Sequence, residues 1–223
     1  VAASLRHGHA TAVSASLAHH IEERFSLSRG QVAVTLPFVD DEFFDASHVG
    51  GAGILFPNRL LRKKGPDVVV KALQSVDLIE RATFLDYVTP FLKGSEEHLA
   101  MRGAIEASGA TLLPAVEDRA ELTELYARAD LVLAVATQPE GMGLVPLEAQ
   151  AVGSPVLTAG PGGLREATFE PNVHLEVAEP LSLGHGILDA VASRATSSPK
   201  EAIRNRFSRS ASTAALRRVW ASL

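Results

Sequence analysis

Short runs rich in Val, Ile, Leu and Ala recur along the chain, and a stretch with helical spacing follows most of them. Most of the runs are continuously apolar. A strand with one wet face alternates apolar and polar residues, whereas a strand covered on both faces does not. The runs at 10–14, 31–36, 53–58, 82–88, 110–115, 130–136 and 154–159 therefore read as buried strands, with a further one at 173–178. Helical patterns fill 15–26, 64–77, 95–108, 119–128, 144–152, 162–168, 181–195 and 200–222. In DRAELTELYARAD, for example, Leu122, Leu125, Tyr126 and Ala129 fall on one helical face. Such alternation predicts an α/β fold, a parallel sheet flanked by helices. Ligands on such sheets bind at the carboxyl ends of strands, where loops turn into helices.

The remaining bounds are compositional. With 223 residues, 46% of them hydrophobic, the chain can build one sizeable core, or one domain plus a fragment of a second. A net charge of -5 speaks against nucleic acid and anionic membranes as partners. The absence of cysteine excludes disulfides and thiolate metal sites. No apolar run approaches the roughly 20 residues of a membrane span, and VAASLRHGHA lacks the apolar region of a signal peptide. The expectation is a cytoplasmic protein without a membrane span. Because the first residue is Val1 and not Met, the chain is expected to be processed, cut or begun inside a longer protein.

Three segments offer chemistry. In LFPNRLLRKKGPDVVVKAL (55–73), Arg59, Arg62, Lys63 and Lys64 cluster between the end of a strand and the start of a helix. That is a place for a phosphate-like anion, or else a solvated basic patch. In LTAGPGGLREA (157–167), Gly162 and Gly163 would let backbone amides approach an anion at the head of a helix. In QPEGMGLVPLEAQAVGSPV (138–156), a turn carrying Glu140 leads into a helix carrying Glu148. The amides of Gly141, Met142, Gly143 and Leu144 lie at the helix start, where the dipole favours an anion. Carboxylates accept from paired sugar or ribose hydroxyls. The plainer alternative makes Glu140 a turn residue and Glu148 a surface residue. Against it, Glu148 stands between Leu147 and Ala149 in an apolar helix, where an unpaired acid is costly. Histidines offer less. His7 and His9 share one side of an extended chain, and His19 and His20 follow on a helix. Adjacent helical residues diverge and no third ligand is spaced for a metal, so none is expected.

These segments carry a resemblance. EGMGLVPLEAQAVGSPVL resembles the E-x7-E signature of retaining nucleotide-sugar glycosyltransferases with the GT-B fold. That large family includes sucrose, glycogen, trehalose and mannosyl lipid synthesising enzymes. NRLLRKKG (58–65) is similar to its G-R-L-x-x-x-K-G, GPGGLREA to its G-G-x-x-E, and NRFSRSASTAALRRVWASL to its closing R-F-S helix. The order is the same. Residues 12–44 resemble the link between the two domains of that fold.

The resemblance implies a Rossmann-like, C-terminal donor-binding domain over 28–208. A remnant of the acceptor domain would occupy 1–27, and a helix crossing back to that domain would occupy 209–223. It implies that Glu148 holds the ribose, Glu140 the donor sugar, and Arg59 and Lys64 the diphosphate. Gly141, Met142, Gly143, Leu144, Gly162 and Gly163 would line the donor site, and Val116 would face the base through its backbone. No cofactor or metal is implied. The reaction would be transfer of a hexose from a nucleoside-diphosphate sugar with retention, dependent on an N-terminal half that is absent or on a second chain, or else accompanied by self-association. Leu17, Ile21 and Phe25 would pack with Leu216, Val219 and Trp220 beside that half. The alternatives are a non-catalytic nucleotide-sugar-binding or assembly module of the same fold, and a sugar-nucleotide epimerase. This sequence departs from the family pattern at Met142, usually Phe, at Asn58 in place of a glycine, and at DYVTPFLKG (86–94) where a glycine-rich turn is usual. EPNVHLE (170–176) replaces D-G-x-x-G.

Overall fold

The computed structural model describes residues 10–193 and 198–221. His7, His9 and the middle of the 193–202 loop lie outside the described residues. The chain opens with β1 (Ala10–Ala12), α1 (Ala15–Phe25) and β2 (Val32–Val34). These two strands pair in parallel as a small sheet of their own, not as members of the main one. After a short helix α2 (Asp41–Asp45), the expected alternation begins. It runs β3 (Ile54–Phe56), α3 (Pro66–Ser75), β4 (Ala82–Asp86), α4 (Glu96–Ser108), β5 (Thr111–Pro114), α5 (Arg119–Arg128), β6 (Leu131–Val135), α6 (Leu144–Val152), β7 (Val156–Ala159) and β8 (Val173–Leu175). Three helices close the chain: α7 (Pro180–Ser193), α8 (Lys200–Phe207) and α9 (Arg209–Ala221).

The main sheet has six parallel strands in the order β5-β4-β3-β6-β7-β8. Alternate residues feed two cores. Leu55, Val132 and Val156 join Phe43, Tyr126, Leu147 and Phe207 from α2, α5, α6 and α8. Ile54, Phe56, Leu131, Leu133 and Leu157 join Val69, Leu73, Ile105, Leu183 and Ile187 from α3, α4 and α7. Burial on both faces is why β3, β6 and β7 lack polar alternation, whereas β5, expected to be buried, and β8 are edge strands and partly exposed. Leu17 and Ile21 pack with Ala12, Ala18 and Val32 in the small unit. Leu216 and Trp220, expected with them on a face toward the absent half, are exposed.

Two helical expectations are corrected. Residues 162–168 form only a single turn, closed by Ala167 N–H to the Gly163 carbonyl at 3.1 Å. The Glu166 carboxylate is directed away, accepting the N–H groups of Ala15 at 2.9 Å and Ser16 at 2.7 Å at the start of α1. The long helix over 200–222 is two helices. Ser208 is extended (ψ 156) and ends α8, while the Phe207 carbonyl accepts Val39 N–H at 2.8 Å. The chain bends there because 37–39 competes for its backbone: Ser212 Oγ donates to the Pro37 carbonyl at 2.8 Å.

Phe207 anchors that bend. It is fully buried and meets Phe169 edge to face at 5.9 Å. Phe207→Ala should cost about 3–5 kcal/mol of unfolding free energy, measured by urea denaturation; a loss below about 1 kcal/mol would show that the cavity collapses freely or that Phe207 is not core.

Candidate functional site

At the carboxyl end of β3 the chain reaches Pro57, buried Asn58 and exposed Arg59. Asn58 Nδ2 donates to the Leu133 carbonyl at 3.1 Å, fixing this loop to β6. The Lys63 carbonyl accepts Thr137 N–H at 3.0 Å, binding the same two loops further along. Gly65 (φ +64) then turns the chain into α3, with Pro66 in its first turn. A Cβ at Gly65 would lie 2.9 Å from Val135 Cγ1, so glycine lets the Lys64 loop rest on β6. As a result Lys64 Nζ donates to Glu140 Oε2. Among the described residues no carboxylate pairs with Arg59.

Beyond β6, Gly143 (φ +86) opens α6 with no side-chain cap. Among the described residues nothing accepts the N–H groups of Leu144 and Val145. Two unpaired amides and the helix dipole make this end electropositive. One turn on, Glu148 is buried among Leu147, Ala149 and Ala151. Tyr126, itself buried, donates its hydroxyl to Glu148 Oε2 at 2.9 Å. Arg119 Nη1 lies 3.6 Å from Oε1, and its other nitrogen pairs with Asp40 at 3.1 Å. Burial raises the Glu148 pKa above the ordinary carboxylate value, against the lowering effects of the Tyr126 bond and the Arg119 charge; Asp40 adds a smaller raising effect. Burial likewise pushes the Tyr126 hydroxyl up, so it stays a donor.

Arg59, Lys64, Glu140, Gly141, Met142, Gly143, Leu144 and Glu148 line one cavity of about 520 Å³, within the range of small-molecule sites. Gly162 and Gly163 lie behind its wall. Gly163 N–H donates to the Glu140 carbonyl at 2.8 Å, and a Cβ at Gly162 would stand 2.4 Å from that same oxygen. Their lack of side chains admits the Glu140 loop. Val116 is buried beside the cavity, and its carbonyl accepts the Tyr87 hydroxyl. Reasoning from sequence missed Tyr87, Arg119, Asp40 and the role of the Tyr126 hydroxyl. Only the last left a signal: a tyrosine on an apolar helical face needs a partner for its hydroxyl. Among the described residues no cluster of His, Asp and Glu could hold a metal ion, and no helix is long and apolar enough to cross a membrane.

The profile of the family described as "Glycosyl transferases group 1" matches residues 40–206. The chain belongs to that family. The match contains every cavity residue named above. Among curated relatives of this group 1 chain, D-inositol 3-phosphate glycosyltransferase of Xylanimonas cellulosilytica is 35% identical over 117 residues, 52% of this chain and 28% of that protein. Its namesake in Corynebacterium urealyticum is 32% identical over 174 residues, 67% of this chain and 40% of that protein. The chain thus spans well under half the length of these relatives. Among solved structures, a glycosyltransferase from Rickettsia africae superposes with a TM-score of 0.78 at 20% identity, covering 95% of this chain and 62% of that one. Anabaena HepE in complex with UDP and glucose gives 0.76 at 18% identity, covering 96% and 63%. The shared fold is GT-B, as the sequence implied.

The raised Glu148 pKa fixes a pH dependence. Above the unfolded value, the native state binds more protons than the unfolded state through the window up to its own pKa. Glu148 therefore subtracts stability as pH rises through that window, and the full penalty stands above it. Glu148→Gln, which keeps an acceptor for Tyr126, should be more stable than wild type at neutral pH, with the gain shrinking as pH falls toward the unfolded glutamate value. Thermal melts across pH check this; a difference that stays constant or grows on acidification would contradict it.

Proposed function

We propose that this chain is the donor-binding half of a retaining glycosyltransferase of the E-x7-E type, moving a hexose from a nucleoside-diphosphate sugar to an acceptor held by another half. The observation that carries the reading is one cavity holding Arg59, Lys64, Glu140, Glu148 and the uncapped start of α6. The solved neighbour with UDP and glucose supports the donor class. In this reading Glu148 accepts from ribose hydroxyls through the lone pairs that Tyr126 leaves open. Glu140 takes hydroxyls of the sugar. As the glycosidic bond to the diphosphate breaks, negative charge grows on the leaving oxygen. Arg59, Lys64 and the amides of Leu144 and Val145 would meet that charge from the wall of the same cavity, and such stabilisation of a leaving group lowers a barrier. These cations do the work a metal ion would otherwise do. Glu140 gives up its Lys64 partner, or shares it, when diphosphate arrives.

Residues 28–208 would be the donor domain, 1–27 the end of an acceptor domain, and 209–223 a helix returning to it. The length shortfall against the relatives supports a second half, supplied by the same polypeptide or by a partner chain. Transfer by this chain alone should be poor.

The test is calorimetry with UDP against UMP, and GDP against GMP. The diphosphate of at least one base should bind more tightly than its monophosphate. Lys64→Ala should weaken that diphosphate by about 1.5–3 kcal/mol while changing the monophosphate little. Equal affinity for both members of each pair would sink the reading.

A further inference from the structure

We infer that Tyr87 is a specificity-determining residue that closes the nucleotide end of the cleft against two-ring bases. This deepens the donor-site reading and rests on it.

The order of the sheet sets the direction of the ligand. Glu140 stands at the β6–β7 side, its backbone bridged to Gly162 after β7. Arg59 and Lys64 follow β3, Tyr87 follows β4, and Val116 follows β5 at the far edge. Glu148 faces the same edge, since its partners Tyr126 and Arg119 belong to α5, the helix after β5. A ligand with its sugar at Glu140, diphosphate over β3 and ribose at Glu148 therefore sends its base toward β4 and β5. The side chain standing there is Tyr87.

Tyr87 is held from both ends. Its carbonyl accepts Leu60 N–H at 2.8 Å and its N–H donates to the Leu85 carbonyl at 2.8 Å, so the backbone is locked to β4 and to the Arg59 loop. Its hydroxyl donates to the Val116 carbonyl. The ring thus spans from the end of β4 to the end of β5 and forms part of the cavity wall. Burial pushes its hydroxyl pKa up against the lowering effect of the Val116 bond, and the nearby Glu148 charge adds to the rise, so the hydroxyl remains a donor at neutral pH. The tether has two effects. It holds a six-membered ring where a second base ring would go, and it takes one of the two lone pairs of a backbone acceptor for which a base amino group would then compete. A single-ring base can lie against the Tyr87 face without displacing it.

Calorimetry with UDP and GDP on the full chain, its Tyr87→Ala and Tyr87→Phe variants, and Lys64→Ala tests this. Wild type should prefer UDP by about tenfold or more. Tyr87→Ala should move the UDP-to-GDP affinity ratio toward GDP by about fivefold or more, with Tyr87→Phe, which keeps the ring and loses the tether, shifted in the same direction by about twofold or more. A wild type without UDP preference, or a smaller shift in Tyr87→Ala, overturns the inference. If the alanine variant lacks a cooperative melt, Tyr87→Phe decides: a ratio equal to wild type overturns the inference, and the stated shift supports it. A loss of fold alone would change both affinities together and leave their ratio fixed. The Lys64→Ala arm separates the two claims. If UDP binding depends on Lys64 but the ratio ignores Tyr87, only the role of Tyr87 fails. UDP binding indifferent to Lys64 removes the donor-site reading and this inference with it.

Discussion

A carboxylate buried in an apolar helix is costly unless it is paired and hydrogen-bonded. Much of this chain is arranged around that constraint at Glu148. Tyr126 reaches it from α5 with a buried hydroxyl, and Arg119 approaches from the start of the same helix. Arg119 is itself held by Asp40, and Asp40 also takes Arg209 at 2.9 Å from the start of α9. One acid in α6 thereby ties together α5, the residue before α2 and the closing helix. At 3.6 Å the Arg119 contact is longer than a hydrogen bond. Glu148 Oε1 therefore keeps acceptor capacity, and a ligand hydroxyl can use it without breaking the bond to Tyr126.

The opposite end of the cleft is fixed by backbone contact instead. Glu140 N–H donates to the Pro161 carbonyl at 3.1 Å, and Gly163 N–H donates to the Glu140 carbonyl at 2.8 Å. Such close approach requires residues without a Cβ, which accounts for the paired glycines. Asn58 performs a similar service across the sheet by fixing the Arg59 loop to β6. The loops that carry the charged groups are fixed before a ligand binds, so little backbone reorganisation opposes binding.

The central strands of the sheet were legible because strands buried on both faces leave unbroken apolar runs, as at Leu131–Val135. Glu140, Glu148, Lys64 and Arg59 were singled out because their segments match a family pattern in order, and that they line one cavity follows from the topology. What was hidden depends on competition between distant segments. The 162–168 stretch reads as a helix locally, yet its glycines are engaged with Glu140 and Gly141 and its Glu166 with α1. Ser208 is unremarkable in sequence, and only the pull of Pro37 and Val39 shows that the chain must bend there. β1 and β2 look like sheet members because pairing partners cannot be read from apolarity alone. Tyr87 was concealed in a departure from the family pattern: its position was visible, its hydroxyl's destination was not.

The central claim is that a single ligand spans Glu140 and Glu148 with its diphosphate between them. Paired titration of Glu140→Ala and Glu148→Ala, each with a nucleoside diphosphate and with the matching nucleotide sugar, tests it most directly. Glu148→Ala should weaken both ligands by about 1.5–3 kcal/mol, since both contain ribose. Glu140→Ala should weaken the nucleotide sugar and leave the bare diphosphate unchanged or slightly tighter, because it releases Lys64 for the phosphates. Loss of diphosphate affinity in Glu140→Ala as large as in Glu148→Ala would contradict the account.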